Sequence, residues 1–151
     1  MLTFRLAARS DVPAILELLA DDEVSRARDG AISEAGDAAH WAAFDAIDAD
    51  PRNELIVVEE DGVPVGTFQL TFTPSLSRGG SERMTIEAVR VRSDRRGGGV
   101  GRQMMAWALD RGRERGCRLA QLTTDMRRAD AHRFYESLGF VASHEGMKLA
   151  L

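Results

Sequence analysis

Two kinds of chemistry lie close together in one stretch of this chain. Glu87 supplies a carboxylate, a group able to take or hold a proton. A little further on, Arg95-Arg96-Gly97-Gly98-Gly99-Val100-Gly101-Arg102 places four glycines within five positions, flanked by arginines. Glycine carries no Cβ, so backbone there can approach a ligand closely and can adopt positive φ. After Gly101 the apolar residues Val100, Met104 and Ala108 recur four apart beside Met105 and Leu109, which predicts a helix. A helix start exposes unpaired N–H groups and the positive end of the dipole. With the arginines, that makes a site for phosphate.

The spelling of the turn excludes two common phosphate loops. A P-loop needs Gly-Lys-Ser/Thr after its glycines, and none follows here. The dinucleotide fingerprint needs glycine at its first, third and sixth places; counted from Gly97 the sixth is Arg102, and from Gly99 it is Met104. What remains is Arg96-x-x-Gly99-x-Gly101, directly after an apolar run through Val89 and Val91.

The elements that must position these residues follow from pattern. Leu2 to Ala8 alternates as a strand, and Ser10 or Asp11 caps a helix carrying Ile15, Leu16, Leu18 and Leu19. A second helix is expected from Asp37 to Ile47, with Trp41, Phe44 and Ile47 on one side, ended by Asp50-Pro51. Leu55 to Glu59 and Val63 to Phe72 read as strands around a tight Glu60-Asp61-Gly62 turn. Pro74 to Glu82 is a loop, with Arg78 and Arg83 in or beside it. Thr85 to Val91 is the central strand, and Arg118 to Thr124 the next. Asp130 is expected to cap a helix running to Leu138 and stopped by Gly139. Phe140 to Ala142 and Met147 to Leu149 are expected to close the sheet as a pair.

The 151 residues suit one ordinary domain, expected over 1–151. At 44% hydrophobic and 29% charged the chain can bury a core under a polar surface. No leader peptide or membrane-spanning run is legible, and the single Cys117 suits a reducing compartment, so the cytoplasm is the expected location. A net charge of −4 gives no support to nucleic-acid binding, and no membrane partner is expected. Charge is nevertheless uneven: acidic residues crowd the first third, and Arg90, Arg92, Arg95, Arg96, Arg102, Arg111, Arg113 and Arg115 form a basic centre. That division suits an anionic cofactor and a cationic acceptor, although single charges also read simply as solvated. No His/Cys/Asp cluster has metal-ligand spacing.

A second segment gives the first a context. Asp130-Ala131-His132-Arg133-Phe134-Tyr135-Glu136-Ser137-Leu138-Gly139-Phe140 resembles the Ala-x-x-Phe-Tyr-x-x-x-Gly-Phe pattern of the GCN5-related N-acetyltransferase (GNAT) family. Arg96-x-x-Gly99-x-Gly101 resembles that family's acetyl-coenzyme A motif, and the order of elements matches along essentially the whole chain. The resemblance implies an α/β (α+β) fold of order β-α-α-β-β-β-α-β-α-β-β, a twisted, mostly antiparallel sheet of six to seven strands flanked by helices. Two central strands would splay to admit the cofactor's pantetheine arm, which would pair with backbone of Val89 and Val91, with Arg90 between them. The pyrophosphate would rest on amides of Gly97, Gly98, Gly99, Val100, Gly101 and Arg102, with Arg96 nearby. Asp21 to Gly36 falls where the family often places acceptor-binding groups.

The implied activity is transfer of acetyl from acetyl-CoA to a primary amine, a small molecule being favoured, with acetyl-CoA as co-substrate and no metal. An amine must lose a proton, an oxyanion must be stabilised, and a thiolate must leave. Glu87 is expected to share a face with Val89 and Val91, and on that apolar face its pKa would be raised to suit a base, acting directly or through water. The plainer alternative is a charge at the strand's exposed end. The Val89 N–H would polarise the thioester carbonyl, and Tyr135 resembles the family's tyrosine that donates to the departing sulfur. One departure is Arg128, where many relatives carry Asn. His132 reads as a surface residue and Cys117 as a small core residue. A protein lysine or N-terminal acetyltransferase and a non-catalytic acyl-CoA sensor stand as alternatives. The acceptor and the oligomeric state, a homodimer included, are left open.

Overall fold

The computed structural model describes residues 1–22 and 37–151. The chain divides into two compact units, Met1–Gln121 and Leu122–Leu151, and each is described by itself.

The first unit is a five-stranded sheet in the order β1-β2-β3-β4-β5. Its strands are β1 (Leu2–Leu6), β2 (Asn53–Glu60), β3 (Val63–Thr73), β4 (Arg83–Val91) and β5 (Leu119–Gln121). Neighbours pair antiparallel except β4 and β5, which run parallel and meet only from Arg83 opposite Leu119 to Thr85 opposite Gln121. The helices are α1 (Val12–Ala20), α2 (Ala38–Ala49) and α3 (Val100–Glu114). Local chemistry explains the joints. Asp61 (φ 51°) and Gly62 (φ 78°) form a two-residue turn closing the β2–β3 hairpin, with Glu60 opposite Val63. The Asp37 carboxylate caps α2 by accepting from the amides of Ala39 and His40, both at 3.1 Å. Asp11 behaves differently from the cap expected: its side chain accepts from the Ala8 amide at 2.7 Å and serves the turn before α1.

Each sheet face has its own cover. One face presents Ile56, Phe68, Leu70, Phe72, Met84 and Ile86, all nearly inaccessible, to α3. Trp107 of α3 stacks on Phe4 and meets Phe68 edge-on. Gly66 and Gly112 admit α3 closely: an added Cβ would lie 2.9 Å from Met104 Sδ at the first and 3.0 Å from Met84 at the second. The opposite face carries Val57 and Leu55, on which α1 and α2 pack with Val12, Ile15, Leu16 and Phe44. Truncating Phe68 to Ala would cost about 3–5 kcal/mol through lost transfer energy and the cavity left behind.

The second unit carries α4 (Ala129–Ser137). Its N-cap is Arg128, with no side-chain cap; Asp130, expected as the cap, lies one residue inside the helix. The C-terminus is stopped as expected. Gly139 takes φ 98°, its N–H donates to Glu136 O at 3.0 Å, and the Phe140 N–H donates to Tyr135 O at 3.1 Å. That is the Schellman arrangement, and the Tyr135 and Phe140 rings meet edge-on at 5.9 Å to clasp it. The closing strand pair expected at 140–142 and 147–149 is not formed, so the sheet has five strands, below the six to seven expected. Met147, Leu149 and Leu151 do alternate as a strand would, but all are exposed, and alternation alone supplies no hydrogen-bonding neighbour.

A charged triad ties β1 to β2 and to the turn before α1. Arg5 reaches both Asp11 oxygens, at 2.6 and 2.9 Å, and the Glu59 carboxylate. The guanidinium holds the Asp11 carboxyl below its ordinary 3.8. A lowered folded-state pKa contributes stability above the ordinary value and loses it as pH falls through the lowered one. Asp11→Asn should therefore destabilise the fold by about 1–2 kcal/mol at neutral pH. It should also flatten the loss of stability below about pH 4, as thermal melts across the acid range would measure.

Candidate active site

The site residues of the first unit are arranged by a bulge in β4. Gln69 lies opposite Glu87 and Thr67 opposite Arg90, so Phe68 alone faces both Ala88 and Val89. Ala88 absorbs the extra residue at φ 52°, a conformation that costs a non-glycine residue on the order of 1 kcal/mol or more. The bulge reverses the alternation beyond it. Glu87 therefore shares a face with Arg90, and the shared face expected for Glu87, Val89 and Val91 is not there.

The apolar surroundings expected for Glu87 are also absent. Its carboxylate is exposed and lies 3.2 Å from the Thr71 hydroxyl oxygen. On the β5 side, the pairing of β4 ends at Thr85, so the edge from Ile86 to Val91 has no β5 partner. The Val89 carbonyl accepts from Arg90 at 2.9 Å, and the Val91 carbonyl from Arg96 at 3.0 Å.

The glycine turn follows a short 3₁₀ turn at Ser93–Arg95. Gly97 (φ 82°) and Gly99 (φ 85°) need their missing Cβ for conformation, since nothing lies within 4 Å of where it would stand. Gly99 is the N-cap of α3 and brings no capping side chain. Among the described residues, the amides of Gly97, Gly98, Gly99, Val100 and Gly101 give no hydrogen bond within the protein. The turn thus presents a row of unspent donors at the positive end of a 15-residue helix.

The arginines are a different matter. Arg92 pairs with Asp94, Arg95 with Glu60, Arg111 with Glu54, Arg113 with Asp110 and Arg115 with Glu82. Arg90 lies 3.6 Å from Asp22, both side chains largely covered. Arg96 also reaches the Asp21 carbonyl, and the Asp21 carboxylate accepts from the Ser93 amide at 2.8 Å. The expected basic centre is therefore mostly neutralised by partners, and its arginines brace the scaffold. Asp21 and Asp22 are the described start of the expected acceptor segment; residues 23–36 lie outside the described residues.

In the second unit, Tyr135 is partly covered and its ring packs on Phe134 and Phe140. His132 lines a shallow surface depression with Met126, Ala129, Arg133 and Glu136. Cys117, in the first unit, is half-buried, and burial pushes its thiol up, which disfavours a thiolate nucleophile. Sequence reasoning missed the polar neighbours of Glu87. Gln69 and Thr71 read only as strand residues and Asn53 lay ahead of the strand expected from Leu55; the odd-numbered alternation of the three was the available signal.

A strand bulged beside a sheet edge without a partner, followed by a glycine turn with bare amides, defines an acyl-CoA-dependent transferase type of scaffold. Residues 12–140 match the family described as Acetyltransferase (GNAT) family, and the chain belongs to that family. It is 30% identical over 128 residues to streptothricin acetyltransferase of Streptomyces lavendulae, covering 85% of this chain and 58% of that protein. It is 41% identical over 59 residues to aminoalkylphosphonate N-acetyltransferase of Salmonella typhimurium, covering 39% of this chain and 38% of that protein. The match thus spans well under two thirds of the length of both. A crystal structure described as a transcriptional regulator from Bacillus halodurans C-125 superposes with a TM-score of 0.94 at 46% identity, covering 100% of both chains.

The bulge can be tested directly. Ala88→Gly should leave stability within about 1 kcal/mol of the parent, because glycine takes φ 52° freely. Ala88→Val should cost about 2 kcal/mol or more, since a β-branched side chain at positive φ is strained. Urea unfolding of the two variants would measure the contrast.

Proposed function

We propose that this protein transfers acetyl from acetyl-CoA to a primary amine of a small molecule. The observation that carries the reading is the run of unspent amides from Gly97 to Gly101 at the start of α3. Such amides suit a diphosphate, and they discriminate against the plain strand–helix turn, whose donors would be capped. In this reading Gly97, Gly98, Gly99, Val100, Gly101 and Arg102 hold the diphosphate with Arg96 beside them. Two of the five guanidinium donors of Arg96 are spent on carbonyls, which leaves others for a phosphate. Val89 and Val91, with Arg90, offer backbone to the pantetheine arm along the open β4 edge.

The chemistry then needs few parts. The amine nitrogen bonds to the thioester carbon, the carbon–sulfur bond breaks, and the nitrogen gives up a proton as the sulfur gains one. Glu87 takes the amine proton, directly or through water. The Val89 N–H, beside the bulge, steadies the oxyanion. The Tyr135 hydroxyl is assigned to protonate the departing thiolate, and residues 1–151 are read as one catalytic domain, which the family match over residues 12–140 supports. The proposed location is the cytoplasm. The similarity to streptothricin and aminoalkylphosphonate acetyltransferases supports a small amine over a protein acceptor.

A second reading is a non-catalytic acyl-CoA sensor, favoured by the likeness to a protein described as a transcriptional regulator. Free-thiol release with a panel of amines separates the two: a transferase releases thiol in proportion to amine, and a sensor binds acetyl-CoA without turnover.

Two variants sharpen the proposal. Gly98→Asp adds a negative charge where a Cβ would meet only Arg95 O at 3.5 Å, an ordinary contact. It should leave the melting temperature unchanged and weaken coenzyme A binding about tenfold or more, read by calorimetry. Tyr135→Phe keeps the clasp on Phe140 and removes only the hydroxyl. It should lower kcat about 10²-fold at unchanged stability; an unchanged rate of thiol release removes Tyr135 from its role.

A further inference from the structure

The face of the sheet covered by α1 and α2 changes character along its length. Under the helices it is apolar, with Val57 and Leu55. Beyond them it becomes a row of amides and hydroxyls crossing four strands: Asn53 on β2, Gln69 and Thr71 on β3, Thr85 and Glu87 on β4, and Gln121 on β5. The register sets these side chains opposite one another, Asn53 with Thr71, Gln69 with Glu87, and Thr85 with both Thr71 and Gln121. They are joined by hydrogen bonds. Gln69 Nε2 donates to Asn53 Oδ1 at 3.1 Å, the Thr71 hydroxyl donates to Asn53 Oδ1 at 2.9 Å, and Gln121 Nε2 donates to Thr85 Oγ1 at 3.1 Å.

Counting donors and acceptors shows what the row lacks. Thr71 has one hydroxyl proton and two acceptors, Asn53 Oδ1 at 2.9 Å and Glu87 Oε2 at 3.2 Å. The nearer acceptor holds it, so the Glu87 carboxylate keeps unfilled acceptor sites. Among the described residues, Gln69 and Gln121 each spend a single Nε2 hydrogen. Each therefore retains one N–H and a carbonyl oxygen for a ligand. A side chain that merely faces water has no need of such ordering, whereas a half-buried row already fixed in place, open at Glu87 and Gln121, can bind without a large further loss of side-chain entropy.

We infer that this row is the floor of the acceptor site and selects a cationic amine that carries several hydroxyl or amide groups. Glu87 takes the ammonium end, and Gln69 and Gln121 exchange hydrogen bonds with the hydroxyls, while Asn53, whose Oδ1 is filled by Gln69 and Thr71 and whose Nδ2 donates to Asp50 at 3.0 Å, fixes the row and keeps one N–H to give. The inference rests on the acetyl-transfer reading and narrows its acceptor class. It also argues against short anionic amines. The row's own strand offers Arg83 as a cation on this face, four residues from Glu87, or about 13 Å along β4. Arg90, on the same face beyond the bulge, is already set against Asp22.

The test is a titration of the ¹⁵N-labelled full chain, following the side-chain amide resonances of Asn53, Gln69 and Gln121. The probes are glucosamine, which is cationic and hydroxylated, and cyclohexylamine, which is cationic only. Saturable shifts with glucosamine and at least several-fold weaker binding of cyclohexylamine support the inference. Equal shifts with both amines, or none with either, overturn it. Gln69→Leu and Gln121→Ala should each weaken glucosamine about tenfold at unchanged melting temperature and unchanged coenzyme A affinity; unchanged glucosamine binding in both overturns it too. Thiol release is measured separately, so shifts without turnover would remove the acetyl-transfer reading and leave the floor standing.

Discussion

The extra residue in β4 is the constraint on which the rest of the site depends. Without it Glu87 and Arg90 would point to opposite faces, as residues three apart in a regular strand must. With it, both lie on the face that α1 and α2 partly cover, and the strand beyond is turned so that Arg92 N–H meets Val65 O at 2.8 Å. The cost is borne by Ala88 at φ 52°. It is offset by the ladder on either side, where Gln69 opposite Glu87 and Gly66 opposite Val91 hold the distortion between fixed points.

The electrostatics of the site come from backbone more than from side chains. Counting arginines suggests a basic surface, yet most of them are matched to carboxylates or to carbonyls in the scaffold. Exposed pairs of this kind contribute little to stability singly and are screened by salt. They do, however, cancel the long-range field that would draw any polyanion. The amides of the α3 turn have no such partners. They favour an anion only at hydrogen-bonding range.

Much of this was legible in the sequence, for reasons that differ by residue. Asp61-Gly62, Asp37 and Gly139 signal their turns and caps because only a few residue types satisfy those backbone geometries. The helix start at Val100 was legible because glycines and a four-residue period adjoin. The bulge was not, since alanine at position 88 carries no mark of positive φ. Nor was the matching of arginines, because pairs such as Arg111 with Glu54 join residues far apart in the chain. The face of Glu87 was misjudged for the first of these reasons: one inserted residue reverses every inference drawn from alternation beyond it.

The Phe-Tyr and Gly-Phe positions of the second unit show how one sequence motif can answer two demands. Tyr135 is the third residue from the end of α4 and Phe140 the third beyond it, the pair that closes a Schellman stop by apolar contact. Gly139 at φ 98° is required by the same stop. Helix termination alone thus accounts for Gly139, for Phe140 and for an aromatic ring at 135. It does not account for a hydroxyl on that ring, since phenylalanine would clasp Phe140 equally well.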